Sequence, residues 1–434
     1  MKRFYVLMTV LLLGSLACGA VSPETPDPTR TVPPPVAASS TSLPTDEPVV
    51  SQAMADEAAT ELPSTPMPVA SPQLAVVRHR PGDAIVLDRI TMIDAQNGWA
   101  ISGGDVLFTA DGARTWREVT PPEALPLGSQ VQAQGVFLDA RHAWIVFSID
   151  RQIPVSAVVW RTEDGGHTWA ASAALEHQVF GDQVWAQGFA LDAEHVWLLV
   201  RGIYVGAGTH HVAQLLRSTN GGFTWSPLTG GETFDYNYDY TGLVFADVDH
   251  GIVTWQTTGA YAPGPPNYAM TSDGANTWTV HELPPPTDNP DLFGSFDYCE
   301  PFQPQMLPEN SIRMLVGCFD VYDPPREFSS YLYFSEDGGA TWTSTLLPEK
   351  VLASQATLFF FDEENLLLLV RNIYRSTDSG RNWKHVKSVT WDGQFSFVDL
   401  QTGWAIARSG SETALVKTSN GGAAWVEIKP VIAP

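Results

Sequence analysis

The chain has 434 residues, 44% of them hydrophobic and 17% charged, with 48 acidic side chains against 24 Lys and Arg for a formal charge of −24. So acidic a balance argues against a nucleic-acid partner and against docking on anionic lipid, and it suits a soluble surface. The length exceeds the usual size of a single packed domain.

Lys2 and Arg3 precede an apolar run from Phe4 to Leu13, and Ser15-Leu16-Ala17-Cys18 follows. The run is too short to span a bilayer, so residues 1–17 read as a secretory signal peptide. Ala17 before Cys18 resembles a bacterial lipoprotein cleavage site, with Ser15 in place of the usual aliphatic residue. The expectation is a lipid on a new N-terminal Cys18, and location at a bacterial cell surface or in the periplasm. Residues 18–72 are rich in Pro, Thr, Ser and Ala and almost without aromatic residues. Such a stretch cannot bury a core and is expected to be a disordered, extended tether.

Residues 73–434 change character. Apolar runs of four to eight residues alternate with turn residues, the pattern of an all-β chain. One octapeptide recurs seven times: Ser/Thr, any residue, Asp/Asn, Gly, usually Gly, any residue, usually Thr, then Trp. Its third and last positions are Asp111 and Trp116, Asp164 and Trp169, Asn220 and Trp225, Asp273 and Trp278, Asp337 and Trp342, Asp378 and Trp383, and Asn420 and Trp425. Ala113 and Ala275 replace the second Gly, Ser379 the first, and Ala424 the Thr. Asp-Gly and Asn-Gly favour tight turns, a carboxylate can accept backbone N–H groups inside the turn, and the Trp anchors the following strand. These aspartates are therefore structural, and no residue is singled out as catalytic.

A second phrase precedes most copies, clearest in Asp94-Ala95-Gln96-Asn97-Gly98-Trp99 and Asp399-Leu400-Gln401-Thr402-Gly403-Trp404. The unit becomes strand, Asp-turn, strand, loop, strand, octapeptide turn, strand. Seven such units predict a seven-bladed β-propeller of four-stranded antiparallel blades, at about 83–122, 131–175, 184–230, 241–284, 293–348, 355–390 and 394–429. Gln73–Val77 is left over and is expected to pair with the final blade and help close the ring.

In the fifth blade, Cys299 and Cys318 flank a hairpin turn at Leu307–Asn310. Cross-strand partners there have numbers summing to 617, which these two satisfy, so a disulfide is expected in an exported protein. No cofactor and no metal site is expected. His210-His211 is read as a solvated loop pair, because adjacent residues do not present both rings to one ion.

The Asp-turn and octapeptide turn of each blade leave on one face. The long segments Thr120–Gln134, Arg201–Ala213, Gly230–Thr241, Gly259–Tyr268, His281–Gly294 and Phe319–Ser330 fall on the other, which is the expected binding face. The run Asp235-Tyr236-Asn237-Tyr238-Asp239-Tyr240 places alternate tyrosines on one side if extended. With Tyr204, Tyr261, Tyr268 and Tyr322 from neighbouring loops, it is the candidate ligand surface for a sugar or a basic peptide. Packing of the loops onto the disc by these rings is the competing expectation. The disc is expected to act as a monomer, reaching the membrane only through its lipid.

The octapeptides resemble Asp-boxes, or BNR repeats, and together with the Gly-Trp-Ala phrases they resemble the photosystem II stability/assembly factor-like propellers over about 73–434. The resemblance implies a binding propeller without chemistry, acting as an assembly or scaffolding factor, though the basic patch of the photosynthetic members has no counterpart run of Arg or Lys here. Asp-boxes also occur in sialidases, whose Arg phrase ahead of the first box is not matched by Val77-Arg78-His79-Arg80-Pro81. A glycoside hydrolase using two carboxyls about 5–10 Å apart on the loop face stays open as the alternative.

Overall fold

The computed structural model describes residues 72–122, 130–179, 181–204, 210–228, 238–257, 264–295, 298–320, 328–349 and 356–434. The signal peptide, Cys18 and nearly all of the tether lie outside the described residues. No helix among the described residues is long and apolar enough to cross a membrane.

The chain is a seven-bladed, all-β propeller. Blade 1 comprises Arg89–Met92, Gly98–Ser102, Asp105–Thr109 and Thr115–Glu118; blade 2 Val131–Phe137, Ala143–Ile149, Trp160–Thr162 and Thr168–Ala171. Blade 3 is Gln183–Ala190, Val196–Tyr204, His210–Ser218 and Ser226–Leu228; blade 4 Tyr238–Phe245, His250–Thr257, Asn267–Ser272 and Thr279–Glu282. Blade 5 is Tyr298–Leu307, Ser311–Phe319, Phe328–Ser335 and Thr343–Leu346; blade 6 Thr357–Phe360, Leu366–Leu369, Asn372–Ser376 and Lys384–Ser388; blade 7 Asp392–Phe397, Gly403–Ser409, Glu412–Thr418 and Val426–Ile428. Each is an antiparallel meander in sequence order.

The octapeptide turn is closed by side chains, and the same bonds recur. In blade 2 the Thr162 hydroxyl donates to Asp164 Oδ1 (2.9 Å) and accepts from the Gly166 N–H (2.9 Å), while Asp164 accepts from the Thr168 N–H (2.9 Å) and hydroxyl (2.7 Å). Where Asn replaces Asp in blade 3 the second contact reverses, Asn220 Nδ2 donating to Thr224 Oγ1 at 2.9 Å. The fourth and fifth residues both have positive φ, as at Gly165 (72°) and Gly166 (79°). The fourth also donates its N–H to the Asp-turn of its own blade, Gly165 to Arg141 O at 3.0 Å and Gly421 to Gln401 O at 2.9 Å. Two local turns are thereby locked into one rigid corner on one face.

Burial alone would raise the carboxyls of Asp111 and Asp164, but backbone and hydroxyl donors outweigh it and hold both below the usual range. The exposed Asp337 is drawn down from 3.8 to about 2 by the Thr341 hydroxyl and N–H. A depressed folded-state pKa gives stability that is present above the unfolded value and lost as pH falls through the folded one. The urea midpoint should thus fall as pH drops from about 4 towards about 2. Asp337→Asn, which imitates Asn220 and Asn420, should flatten that fall; an unchanged profile would refute the assignment.

The cores lie between blades, one apolar cluster for each neighbouring pair including blades 7 and 1. Cations from one blade cap the turn of the next. Arg117 Nη2 donates to Gly165 O (2.8 Å), Arg217 Nη1 to Gly274 O (3.2 Å), and Arg161 lies over the Phe223 ring at 4.0 Å.

The C-terminal segment and Ala84 meet at the edge of blade 1. Val431–Ile432 adds a parallel fifth strand to Thr115–Glu118, and Ala84 bridges Val431 from its other side. The expected pairing of Gln73–Val77 with the final blade is not what forms. Gln73–Leu74 pairs instead with Thr168–Trp169 on the outer edge of blade 2. Blade 7 already has four strands of its own, so the ring needs no N-terminal strand to complete it. The N-terminal segment is fixed by the buried Glu118, whose carboxylate accepts the N–H groups of Arg78 (2.6 Å) and His79 (2.8 Å).

Candidate functional site at the mouth of the channel

The second-to-third strand hairpins and the blade connections share the face opposite the locked corners. Several of the long segments turn out to be strand extensions. Arg201–Ala213 belongs largely to the paired strands Val196–Tyr204 and His210–Ser218, and the expected loop residues Tyr238, Asp239 and Tyr240 open the inner strand of blade 4. His210 and His211 therefore stand on a strand, not in a loop.

Two of the expected surface tyrosines are buried. Tyr240 is fully buried in the blade 3–4 core against Trp255, because the inner strand begins before residue 241 and turns this ring inward. Tyr268 is 1% exposed in the blade 4–5 core, stacked on His281, its hydroxyl accepting from Trp342 Nε1 at 3.0 Å. For these two the packing alternative holds. Tyr204, Tyr238 and Asp239 stand on strands, with side chains outside the described set. Asp235, Tyr236, Tyr261 and Tyr322 lie outside the described residues. Cys299 and Cys318 are direct register partners and form the disulfide. A register shift between Phe302 and Gln305 changes the pairing sum nearer the turn without touching this pair.

The cleft of interest opens elsewhere, between blades 2 and 3 at the channel. It holds about 350 Å³ and is lined by Gln134, Trp185, Gln187, Arg201 and, from blade 1, Arg89, over an apolar floor that includes Trp144 and Trp225. The inner strands place these groups. Trp185 and Arg201 are register partners on the first two strands of blade 3, and the guanidinium lies over the indole at 5.1 Å. Arg201 Nη1 also donates to the Tyr240 carbonyl, which ties the site to blade 4. Gln134 Oε1 accepts from the Ala186 N–H at 2.5 Å, leaving its amide N–H groups for a ligand. Gly188 allows the close approach, since a Cβ there would stand 2.1 Å from Val136 Cγ2.

In a chain with twice as many acids as bases, no carboxylate among the described residues lines this cleft. Asp88, beside Arg89 in sequence, turns its carboxylate to the Gly103 N–H at 2.6 Å. An adjoining cavity at blades 1, 2 and 7 adds Arg408, whose Nη2 donates to Asp88 O at 2.8 Å, and holds Asp88 as its one acid. A groove between blades 4 and 5 holds Glu282 alone. Every aspartate shift resolved among the described residues is downward, as for Asp94, Asp139, Asp192, Asp247, Asp362 and Asp399, where turn N–H donors outweigh burial. Among the described residues no group of three metal-binding side chains converges. The cationic cleft was not legible in the sequence, because its members come from separate blades and no local run marks them.

Fold and site together define a seven-bladed β-propeller with a cleft at the channel that no carboxylate among the described residues lines. No family model matches the sequence, and no curated protein matches it. Among solved structures the chain is similar to YCF48 bound to a D1 peptide, with TM-score 0.49 and 17% identity over 80% of this chain and 98% of that one. It is also similar to YCF48 from Cyanidioschyzon merolae, with TM-score 0.44 and 16% identity over 82% and 100%. An alpha-L-arabinanase from Penicillium chrysogenum complexed with arabinobiose gives TM-score 0.39 and 13% identity over 72% and 97%.

Proposed function

We propose that this chain is an exported propeller, lipid-anchored through Cys18, that binds a protein or glycan at the long-loop face without chemistry, in an assembly or scaffolding role. The observation that carries the reading is the cleft between blades 2 and 3, lined by Arg89, Gln134, Gln187 and Trp185 and by no carboxylate among the described residues. A glycoside hydrolase needs two carboxyls flanking the bond, at least one of them commonly raised in pKa. The cross-strand disulfide agrees with an oxidising compartment, and the signal sequence with export.

The test is capture of the full chain on a glycan array and by surface-protein extracts, beside incubation with chromogenic glycosides. Binding without turnover, weakened about thirtyfold by Trp185→Ala, supports the reading, since buried aromatic anchors contribute most at such sites. Turnover abolished by replacing one or two carboxylates overturns it in favour of the hydrolase. Cys18→Ser should release the protein from membranes and remove fatty-acid label; retention of both would refute the anchor.

A further inference from the structure

We infer that the cleft between blades 2 and 3 recognises a carboxylated sugar, a hexuronate unit of an acidic oligosaccharide. This deepens the proposed binding function and rests on it.

The argument is one of complementarity. Arg89 stands exposed on the innermost strand of blade 1 at the rim of the cleft, and no acid partner for it exists among the described residues. An arginine fork matches a carboxylate bidentately, which an ammonium or an amide does not. Trp185 is half-buried, with the Arg201 guanidinium over its ring, so the indole is held in place at the cleft. A pyranose offers a flat C–H face to an indole and a ring of hydroxyls to amides. Gln134 on the inner strand of blade 2 and Gln187 on the inner strand of blade 3 supply those amides. The volume of about 350 Å³ suits one or two sugar units. A neutral sugar would leave Arg89 unanswered. An acidic peptide would satisfy Arg89 yet leave the amides and indole without the hydroxyls and C–H face they fit.

The experiment is calorimetric titration of the full chain with trigalacturonate, its methyl ester, a neutral trisaccharide and triglutamate. The expected result is that trigalacturonate binds, while the ester, the neutral sugar and the peptide each bind at least about tenfold more weakly. Arg89→Gln, an exposed change that leaves the core intact, should weaken trigalacturonate about tenfold and lessen the salt dependence, and Trp185→Ala should do at least as much. An equivalent change remote from the cleft, Arg371→Gln in blade 6, should leave the affinity unchanged. The inference is overturned if trigalacturonate does not bind at millimolar concentration, if the ester binds equally, or if Arg89→Gln has no effect. The array separates the two levels. Trp185-dependent capture of a different ligand overturns the uronate class and leaves the binding function standing. Absence of any Trp185-dependent capture removes both.

Discussion

Trp404→Ala should lower the stability of the propeller by about 3–5 kcal/mol, the usual cost of deleting a buried aromatic side chain. The indole is fully buried in the core shared by blades 7 and 1, and its Nε1 donates to Gly112 O at 3.1 Å in the octapeptide turn of blade 1. Lys417 stands over the ring at 4.4 Å, so the cation is also left without its partner. The deletion strikes the joint where the last blade closes on the first. Gln394, from blade 7, bonds the backbone of Ile90 from both its amide atoms, and Ser396 Oγ accepts from the Met92 N–H at 2.8 Å. Hydrogen exchange in Trp404→Ala should therefore rise first in blades 1 and 7, with blade 4 still protected. Uniform acceleration in all blades would show that the joint is no weaker than the rest. A denaturant midpoint within error of wild type would show that the indole contributes little.

What could be read from the sequence was what is local. The octapeptide closes bonds between residues two to four apart, Thr162 to Asp164 and Asp164 to Thr168, so the turn and its strands follow from the residue types alone. The pairing of Cys299 with Cys318 was legible for a similar reason, because a hairpin turns counting into register. Tyr240 was misjudged because one face of a strand and one side of a loop have the same alternation, and only the position of Trp255 decides which it is. Arg89, Gln134, Trp185 and Arg201 were not found at all. They belong to three blades, and closure of the ring brings them together rather than any spacing in the chain. The same holds for Arg217 and Gly274, or Trp144 and Gly221, which lie in adjacent blades.

Gly222→Ala and Gly422→Ala form a matched pair that separates backbone strain from packing. Both residues are the fifth of an octapeptide and have nearly the same φ, 89° and 88°. An alanine in this left-handed region costs about 1–2 kcal/mol. At Gly422 a new Cβ would stand 3.1 Å from Ile373 Cδ1, the mobile end of a side chain, so little more than the backbone cost is expected. At Gly222 it would stand 2.6 Å from the ring of Trp144, whose Nε1 donates to Gly221 O at 2.7 Å. That ring is pinned on both sides and cannot withdraw, so overpacking adds about 1–3 kcal/mol. The total at Gly222 should come to about 2–5 kcal/mol, against about 1–2 kcal/mol at Gly422. Ala275 holds φ of 73° at the same turn position, so the backbone accepts a methyl where its surroundings make room. Equal losses at the two glycines would mean that the Trp144 ring yields freely. Because Trp144 and Trp225 also floor the cleft between blades 2 and 3, Gly222→Ala should weaken ligand binding while Gly422→Ala leaves it unchanged. Loss of binding in both variants would point to general loosening of the disc and not to a shift of the cleft wall.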